Sequence, residues 1–206
     1  MTIATTLEEA CAVMADIPEA VLLAGGTDLM VEVNHGHRSL TDVVTLDRIP
    51  ELNGWEHHDD FLRLRSGLTY AAMADSDLAQ LIPGLAQAAR TVGSPQIRNT
   101  GTLGGNLATA SPAGDTIPVL AALDAVVELR SEHNRREVPI ADFITGVKRN
   151  DLRPGELIEA VRVPVADGPQ EFLKVGTRNA MVISVVSLAM VVDRSNRQVK
   201  VGLGAA

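Results

Sequence analysis

The spacing of apolar and polar residues along the chain predicts short strands and helices in turn. Thr5 and Thr6 each precede a glutamate by three residues, which is the capping-box signature of a helix, here over 7–15. Leucines and arginines alternate over 61–65, which predicts a strand whose leucines face inward and whose arginines face outward. The same criteria predict further strands over 21–23, 43–46, 125–129 and 157–163, and further helices over 71–81, 85–92 and 115–123.

A boundary is predicted near three quarters of the chain length, because residues 164–169 are rich in turn formers. Beyond it, apolar segments predict the strands of a separate sheet, over 171–175, 182–192 and 198–202.

Composition limits the class of protein. Hydrophobic residues make up 46% of the 206 positions, enough to fill a core, and aromatic residues only 2%, so aliphatic side chains must do the packing. The net charge of −8 argues against nucleic acid or an anionic membrane as a partner. No secretory signal is visible, and the longest apolar run, 181–192, is shorter than the roughly 20 residues of a spanning helix. We therefore expect a soluble, cytoplasmic protein.

Cysteine and histidine residues do not indicate a metal site. Cys11 is the only cysteine, so the sequence has neither a disulfide framework nor a thiolate set for an iron–sulfur cluster. It shares a predicted helix face with apolar neighbours, and we interpret it as a small buried residue. His35 with His37, and His57 with His58, lie in polar segments without a third well-placed ligand, so we expect solvated loops there.

The segment 93–115 holds five glycines, two prolines and few bulky apolar residues. Such a loop can present backbone N–H groups to a ligand, because glycine lets the main chain approach closely. Gly101, Gly104 and Gly105 are the predicted approach points, although an ordinary glycine-rich loop is the alternative. The polar donors of this segment are Thr102, Asn106, Thr109 and Ser111.

A second glycine segment directly follows the predicted strand over 21–23. A strand, a glycine turn and the start of a helix form the geometry that binds phosphate at exposed amides. The Rossmann fingerprint is nevertheless absent, because the positions two and five residues after Gly25 are Thr27 and Met30. No Walker-type Gly-Lys-Ser/Thr sequence exists either. This loop therefore binds a phosphate-like group by another scheme, or binds nothing.

Several motifs together carry a resemblance to a known family. The first is Ala24-Gly25-Gly26-Thr27-Asp28-Leu29. The second is Gln96-Ile97-Arg98-Asn99-Thr100-Gly101-Thr102-Leu103-Gly104-Gly105-Asn106-Leu107 with Ser111-Pro112-Ala113-Gly114-Asp115. Others are Arg48-Ile49-Pro50-Glu51-Leu52, Leu157-Ile158 and Lys174-Val175-Gly176-Thr177-Arg178. Over essentially its whole length the chain resembles the FAD-binding medium subunit of the molybdenum hydroxylases, the xanthine dehydrogenase and aerobic carbon monoxide dehydrogenase type enzymes.

The resemblance implies an α+β fold, with a two-part FAD-binding domain of the PCMH/vanillyl-alcohol-oxidase type. Its subdomains would cover 1–54 and 55–165, and 166–206 would begin a small α/β C-terminal domain that is incomplete here. Family relatives have a longer domain in this place. A missing last part would leave sheet edges and an apolar face uncovered, so either the sequence is truncated or a partner covers that surface.

The resemblance also implies a set of FAD-binding residues. The backbone amides of the first loop would wrap the pyrophosphate, with Thr27 and Asp28 adding polar contacts, and an opposing cradle would come from the second segment. Asp115 would hydrogen-bond the polar side chain of the flavin, and Ile158 would pack on its ring system. Lys174 would place a positive charge near the pyrimidine end. The loop residues are Leu23, Ala24, Gly25, Gly26, Thr27, Asp28 and Leu29, and those of the cradle are Thr102, Gly104, Gly105 and Asn106.

Alternatives remain for some of these residues. Lys174 can also be read as a solvated strand lysine, and Ile158 as a plain core residue. Val92 stands where some relatives place an aromatic residue near the flavin ring, which argues against stacking there. No residue is required as a general acid or base, since electron and hydride transfer do not need one, so we predict no catalytic residue.

The function implied is that of an electron-transfer subunit, an oxidoreductase component that does not act on substrate alone. A large subunit with the molybdenum cofactor would oxidise the substrate, and a small subunit would relay electrons through 2Fe–2S clusters. FAD on this chain would pass the electrons to NAD or another acceptor. The molybdenum and iron–sulfur cofactors are expected only on those partner subunits, and the substrate cannot be read from this chain.

Two other functions compete with this one. A stand-alone flavin reductase of the same fold, like the enzyme that makes UDP-N-acetylmuramate, would need its own substrate pocket and proton donor. A truncated, non-catalytic module that keeps the FAD loops is the other alternative. Flavin content separates the module from the two enzymes, and co-purifying subunits separate the two enzymes from each other.

Overall fold

The structure of the chain, a computed structural model, describes residues 1–205 apart from the side chain of Ser76. Its N-terminal part is a parallel sheet of three strands in the order β1-β3-β2. The elements of this part are β1 (Thr2–Ile3), α1 (Leu7–Asp16), β2 (Val21–Leu23), α2 (Leu29–Asn34) and β3 (Val43–Thr45).

The predicted capping box of α1 is confirmed. The Thr6 hydroxyl accepts a hydrogen bond from the amide of Glu9 at 3.1 Å, and the Glu9 carboxylate accepts one from the amide of Thr5 at 2.8 Å. Cys11 is buried on the inner face of α1, as predicted, in a small core that also contains Val44 of β3 and a residue of the central sheet, Leu157. This core therefore joins the N-terminal part to the rest of the chain.

The central part is an antiparallel sheet of five strands in the order β4-β5-β10-β6-β7, with helices packed on one face. A separate hairpin is formed by β8 and β9. The strands are β4 (Trp55–His57), β5 (Phe61–Arg65), β6 (Val126–Arg130), β7 (Arg135–Pro139), β8 (Ile144–Gly146), β9 (Arg149–Asn150) and β10 (Leu157–Pro164). The helices are α3 (Tyr70–Met73), α4 (Ser76–Leu81), α5 (Pro83–Thr91), α6 (Pro95–Thr100), α7 (Leu103–Thr109), α8 (Thr116–Ala122) and α9 (Ile140–Phe143).

The two faces of β5 differ as the alternation predicts. Leu62 and Leu64 are completely buried in the main core. Arg63 and Arg65 lie on the other face, where Glu159 of β10 approaches them at 3.0 and 3.6 Å. Glu159 is itself buried, so these arginines are paired with a buried charge and do not simply face solvent. They neutralise a carboxylate that burial would otherwise make costly.

The C-terminal part is an antiparallel sheet of three strands, β11 (Gln170–Val175), β12 (Val186–Asp193) and β13 (Gln198–Gly204). Its inner face lies on α5 and α8, and Phe172, Ala189 and Val191 join the main core. The separate sheet predicted after the boundary is confirmed, although it shares the core of the central part. Its outer face exposes large apolar side chains, namely Leu173, Val175, Val199, Val201 and Leu203.

Several predicted elements need correction. The single helix over 71–81 is wrong, because the chain breaks between α3 and α4, where Asp75 adopts an extended conformation and caps α4. The strand over 182–192 begins only at Val186, because its partner strand β11 ends at Val175, opposite Val186. Among the described residues, the elements that were not predicted are β1, β4, α6, α7, β7, α9 and the β8–β9 hairpin. In β7 the charged run Arg135-Arg136-Glu137 hides the strand pattern.

The architecture is a mixed α+β fold, as predicted. Across the part of the chain that the structure describes, none of the helices has the length and apolar character needed to cross a membrane.

Candidate functional site

The two glycine segments meet at a backbone-to-backbone contact. A Cβ atom placed on Gly25 would lie only 1.9 Å from the carbonyl oxygen of Thr100, so this approach requires glycine. The next residue, Gly26, has a φ of +67°, which turns the chain from β2 towards α2. Its carbonyl accepts the amide of Met30 at 2.9 Å. The structure thus places the first loop directly beside the end of α6.

Free backbone amides characterise the first loop. Among the residues that the structure describes, the amides of Gly25, Gly26, Thr27 and Asp28 donate to no protein acceptor. These residues are half-buried or exposed, so a ligand can reach them. Successive free amides in a glycine turn form a concave donor surface that suits anionic oxygen atoms.

The second glycine segment is not the loop that we predicted. It forms α6 and α7, each started by a hydroxyl cap. Ser94 Oγ accepts from the amide of Ile97 at 3.4 Å, and Thr102 Oγ1 from the amide of Gly105 at 3.1 Å. Leu103 of α7 is fully buried. The prediction failed because the small residues that favour a loop also allow short helices to pack closely.

The amides at the start of α7 are already used within the protein. Leu103 donates to the carbonyl of Leu68 at 2.9 Å, and Gly104 to that of Ser66 at 2.7 Å. Gly105 donates to the Thr102 hydroxyl, and Asn106 to the Thr102 carbonyl at 3.0 Å. The expectation that this segment presents bare amides is therefore wrong between 103 and 106. Any ligand contact from here must come from side chains.

Tyr70 lies against the second segment, and no sequence motif singled it out. Its ring lies against Gly101, where a Cβ atom would approach a ring carbon to 2.8 Å. Burial raises the pKa of Tyr70, and the charges of Asp115 and Asp28 raise it further, so the phenol remains protonated. Asn106 hydrogen-bonds the phenol and accepts from the Thr116 hydroxyl at 2.5 Å. The second segment therefore packs around this buried ring, and the charge of Asp28 from the first segment acts on its phenol.

A buried ion pair lies at the end of the second segment. Lys174 Nζ is 2.5 Å from Asp115 Oδ2, and both side chains are at least nine-tenths buried. The reading of Lys174 as a solvated strand lysine is therefore wrong. Asp115 stands at the N-terminus of α8 but makes no capping bond. Burial raises the pKa of Asp115, whereas Lys174 and Thr91 lower it.

One oxygen of this carboxylate has no partner. Asp115 Oδ1 is buried, and no described residue donates a hydrogen bond to it. Buried carboxylate oxygens normally accept hydrogen bonds, because leaving one unpaired costs free energy. A bound ligand with a hydroxyl group is the kind of donor that this oxygen lacks.

Ile158 is a core residue of β10, the strand that contacts α7. It is 6% exposed, pairs with Leu129 across β10 and β6, and belongs to the main core. An irregularity of the strand register follows it, between Ile158 and Ala160. Its contact with a flavin ring remains a prediction.

The β8–β9 hairpin braces both glycine segments and was missed by the sequence analysis. The amide of Lys148 donates to the carbonyl of Ala110 at 3.0 Å, and Asn150 Nδ2 to that of Ala108 at 2.7 Å, so the hairpin holds the end of α7. Lys148 Nζ also lies 3.0 Å from Glu32 of α2. Gly146, at the turn, was the available signal.

The histidines lie outside the site. The rings of His35 and His37 stack at 5.9 Å, and His58 stacks on Phe61 at 4.6 Å. His57 belongs to β4 and not to a loop, which corrects that prediction. Within residues 1–205, no group of three or more potential ligands is arranged to hold a metal ion.

Comparison with known proteins identifies the class that this fold and site define. Residues 1–166 match the family described as the FAD binding domain in molybdopterin dehydrogenase. The chain belongs to this family, and the resemblance recognised from its motifs is confirmed.

Individual relatives agree with the family. The chain is 34% identical over 196 residues to the nicotinate dehydrogenase FAD-subunit of Eubacterium barkeri, covering 91% of this chain and 66% of that protein. It is 33% identical over 193 residues to the xanthine dehydrogenase FAD-binding subunit of Escherichia coli O157:H7, covering 90% and 65%. The chain thus spans about two thirds of the length of these relatives.

The fold agrees as well. The crystal structure of quinoline 2-oxidoreductase from Pseudomonas putida 86 superposes with a TM-score of 0.92 at 26% identity. The match covers 99% of this chain and 73% of the other. Relatives of this chain are thus flavoprotein subunits of oxidoreductases.

Proposed function

We propose that the chain holds FAD between its two glycine segments and serves as the electron-transfer subunit of a molybdenum-containing hydroxylase or dehydrogenase. The observation that carries the proposal is the run of free amides from Gly25 to Asp28 beside the second segment. When bound, FAD supplies electron- and hydride-transfer chemistry, and the protein binds and orients it.

The residues present fit this cofactor in two places. The four free amides and the positive φ of Gly26 suit the oxygens of a pyrophosphate, which accept several N–H groups at once. Asp115 Oδ1 lacks a donor, and the ribityl chain of FAD carries hydroxyl groups that donate. From the second segment, Thr102 and Asn106 contribute side chains, since the amides from Leu103 to Asn106 are engaged. Leu23, Ala24 and Leu29 complete the first loop, and Gly104 and Gly105 complete the cradle of the second segment.

Lys174 has a role of its own in the proposal. Its ammonium group donates to Asp115 Oδ2 and to the Thr91 carbonyl at 3.3 Å, so one of its three N–H groups has no acceptor among the described residues. A buried positive charge stabilises electron density on a neighbouring ring, so Lys174 would tune the pyrimidine end of the flavin. Ile158 would pack on the ring from β10.

The assembly is part of the same proposal. A large subunit would hold the molybdenum cofactor and a small subunit the 2Fe–2S clusters that deliver electrons to this chain. NAD or another acceptor would take them. Relatives named as FAD subunits, and the nicotine 6-hydroxylase medium subunit of Paenarthrobacter nicotinovorans, support a multi-subunit arrangement. We assign 1–54 and 55–165 to two FAD-binding subdomains of the PCMH type, and 166–206 to a C-terminal domain.

The test is a tagged chain purified from its own cells, assayed for FAD, molybdenum and iron. The proposal predicts about one FAD per chain together with both metals on co-purifying subunits. FAD without either metal would favour the stand-alone reductase. A preparation that carries both metals but no flavin would overturn the FAD assignment.

A further inference from the structure

Thr91, the last residue of α5, contacts both members of the buried ion pair. Its hydroxyl oxygen lies 3.2 Å from Asp115 Oδ2, and its carbonyl accepts a hydrogen bond from Lys174 Nζ at 3.3 Å. Lys174 Nζ also lies 2.5 Å from Asp115 Oδ2. Within the described part of the chain, the protein donors to this carboxylate therefore converge on Oδ2, and Oδ1 receives none.

The Thr91 hydroxyl has one proton and two acceptors within reach. The second acceptor is the carbonyl of Ala88, at 2.8 Å, one turn earlier in α5. A proton given to Ala88 would merely close a local turn of the helix. A proton given to the ionised Asp115 makes a charge-assisted hydrogen bond, which is roughly twice as strong as a neutral one. The two roles differ in whether Thr91 responds to the charge of Asp115.

We propose that Thr91 is a positioning residue for FAD. By binding Asp115 Oδ2 with its hydroxyl and Lys174 with its carbonyl, it fixes the carboxylate and reserves Oδ1 for a hydroxyl of the flavin side chain. This inference rests on the proposed function and goes beyond it, since no sequence motif marks Thr91.

The charges around Asp115 set the direction of its pH response. The titratable groups that face it are Lys174 from β11 and Tyr70 from α3, and Tyr70 stays neutral because burial raises its pKa. Burial also raises the pKa of Asp115, and the Thr91 hydroxyl is one of the groups that lower it. A flavin hydroxyl donates to the ionised carboxylate, so FAD affinity falls as the pH falls through this pKa. Without the Thr91 hydroxyl, the pKa of Asp115 rises further, so the affinity for FAD begins to fall at a higher pH.

The experiment compares Thr91→Val, which keeps the shape and loses the hydroxyl, with Thr91→Ser, which keeps the hydroxyl. FAD dissociation constants are measured by flavin fluorescence at a series of pH values from about 5 to 8. Thr91→Val should weaken binding about tenfold near neutral pH, as expected for a lost charge-assisted bond. Its pH midpoint should move up, because the Thr91 hydroxyl no longer lowers the pKa of Asp115. Thr91→Ser should resemble the unsubstituted chain in both respects.

A double substitution adds a readout that a structural role would not change. In an Asp115→Asn background, Thr91→Val should cause little further loss, because the carboxylate it serves is gone. If Thr91→Val does not fold, Thr91→Ala removes the same hydroxyl without β-branching at the helix end.

The outcomes separate the inference from the proposed function. An unsubstituted chain that takes up no FAD overturns both. A chain that binds FAD, with the valine variant unchanged in affinity and in pH midpoint, overturns the role of Thr91 alone. A loss of affinity that is independent of pH and persists in the Asp115→Asn background also overturns it, because Thr91 would then act only through α5.

Discussion

At the scale of single residues, the glycines divide into two kinds. Gly25, Gly101 and Gly104 lack side chains because another part of the chain occupies that space, namely the Thr100 carbonyl, the Tyr70 ring and Ser66. At Gly101 and Gly104 the space of the missing side chain is thus filled by the protein, and their contact with a ligand remains a prediction. Gly26 differs, because its positive φ shapes the loop whose amides are free.

Gly26→Ala and Gly36→Ala form a matched pair. Both glycines have a φ near +70°, at 67° and 71°, so each alanine should lower the free energy of unfolding by about 1 kcal/mol. At Gly26 the added Cβ would also lie 3.0 Å from Leu23 Cδ1, which adds to the cost there. Gly36 follows α2, outside the glycine segments, and an added Cβ meets nothing within 4 Å. FAD titration should show weaker binding for Gly26→Ala only. Equal affinity in the two variants would contradict a role of the first loop in binding FAD.

The Asp115–Lys174 pair should matter far more for stability than an exposed pair does. Lys174→Met leaves the buried Asp115 charge unpaired and should cost about 3 kcal/mol or more in urea unfolding. Asp124→Asn breaks the pair with Lys200, also at 2.5 Å but at a largely exposed carboxylate, and should cost less than about 1 kcal/mol. A double variant, Asp115→Asn with Lys174→Met, should recover part of the loss. Similar losses of unfolding free energy in the two single variants would show that the Asp115–Lys174 pair is solvated.

At the scale of secondary-structure elements, local sequence signals predicted most helices and strands, but they did not predict contacts between distant residues. The Thr6–Glu9 cap lies within one helical turn, so the sequence predicted the start of α1. The site depends on contacts between distant positions, such as Lys174 with Asp115, 59 residues apart, and Lys174 with Thr91, 83 apart. The periodicity of apolar and polar residues along the chain does not predict such contacts. Lys174 and Asp115 were found through family motifs, and Thr91 and Tyr70 were not found at all.

The hairpin offers a test at this scale. Asn150→Ala removes the bond to the Ala108 carbonyl and should lower the free energy of unfolding by about 1 kcal/mol. Amide hydrogen exchange should quicken in β8, β9 and the end of α7, because the brace between them is lost. Asn134→Ala is the control, since Asn134 holds its turn through backbone groups. Unchanged exchange at the end of α7 would show that the hairpin does not support it.

For the whole molecule, the main core extends from the central sheet into the C-terminal sheet, while the outer face of that sheet is apolar and exposed. Successive residues of β13 face opposite sides of the sheet. Gly202 packs on α8, and its neighbours Val201 and Leu203 point to the exposed face. The sequence pattern indicated the strand but not which face is covered. Which face of the sheet is covered depends on α5 and α8, and these helices come far earlier in the chain.

Adjacent substitutions in β13 test this orientation. Gly202→Ala would place a Cβ 2.0 Å from the Pro118 carbonyl oxygen and should destabilise the protein by several kcal/mol or prevent folding. Val201→Thr and Leu203→Thr keep strand propensity at exposed positions and should change the free energy of unfolding by about 0.5 kcal/mol or less. A large cost for the threonine variants in thermal unfolding would mean that the outer face is covered in solution.

The central claim is that this chain itself forms an FAD site. The most direct measurement is a titration of the purified chain with FAD, followed by visible absorption after removal of free flavin. The account predicts uptake of about one FAD per chain, with FMN bound more weakly because it lacks the pyrophosphate that the Gly25–Asp28 amides bind. A chain that remains colourless, or that binds FMN as tightly as FAD, would contradict it.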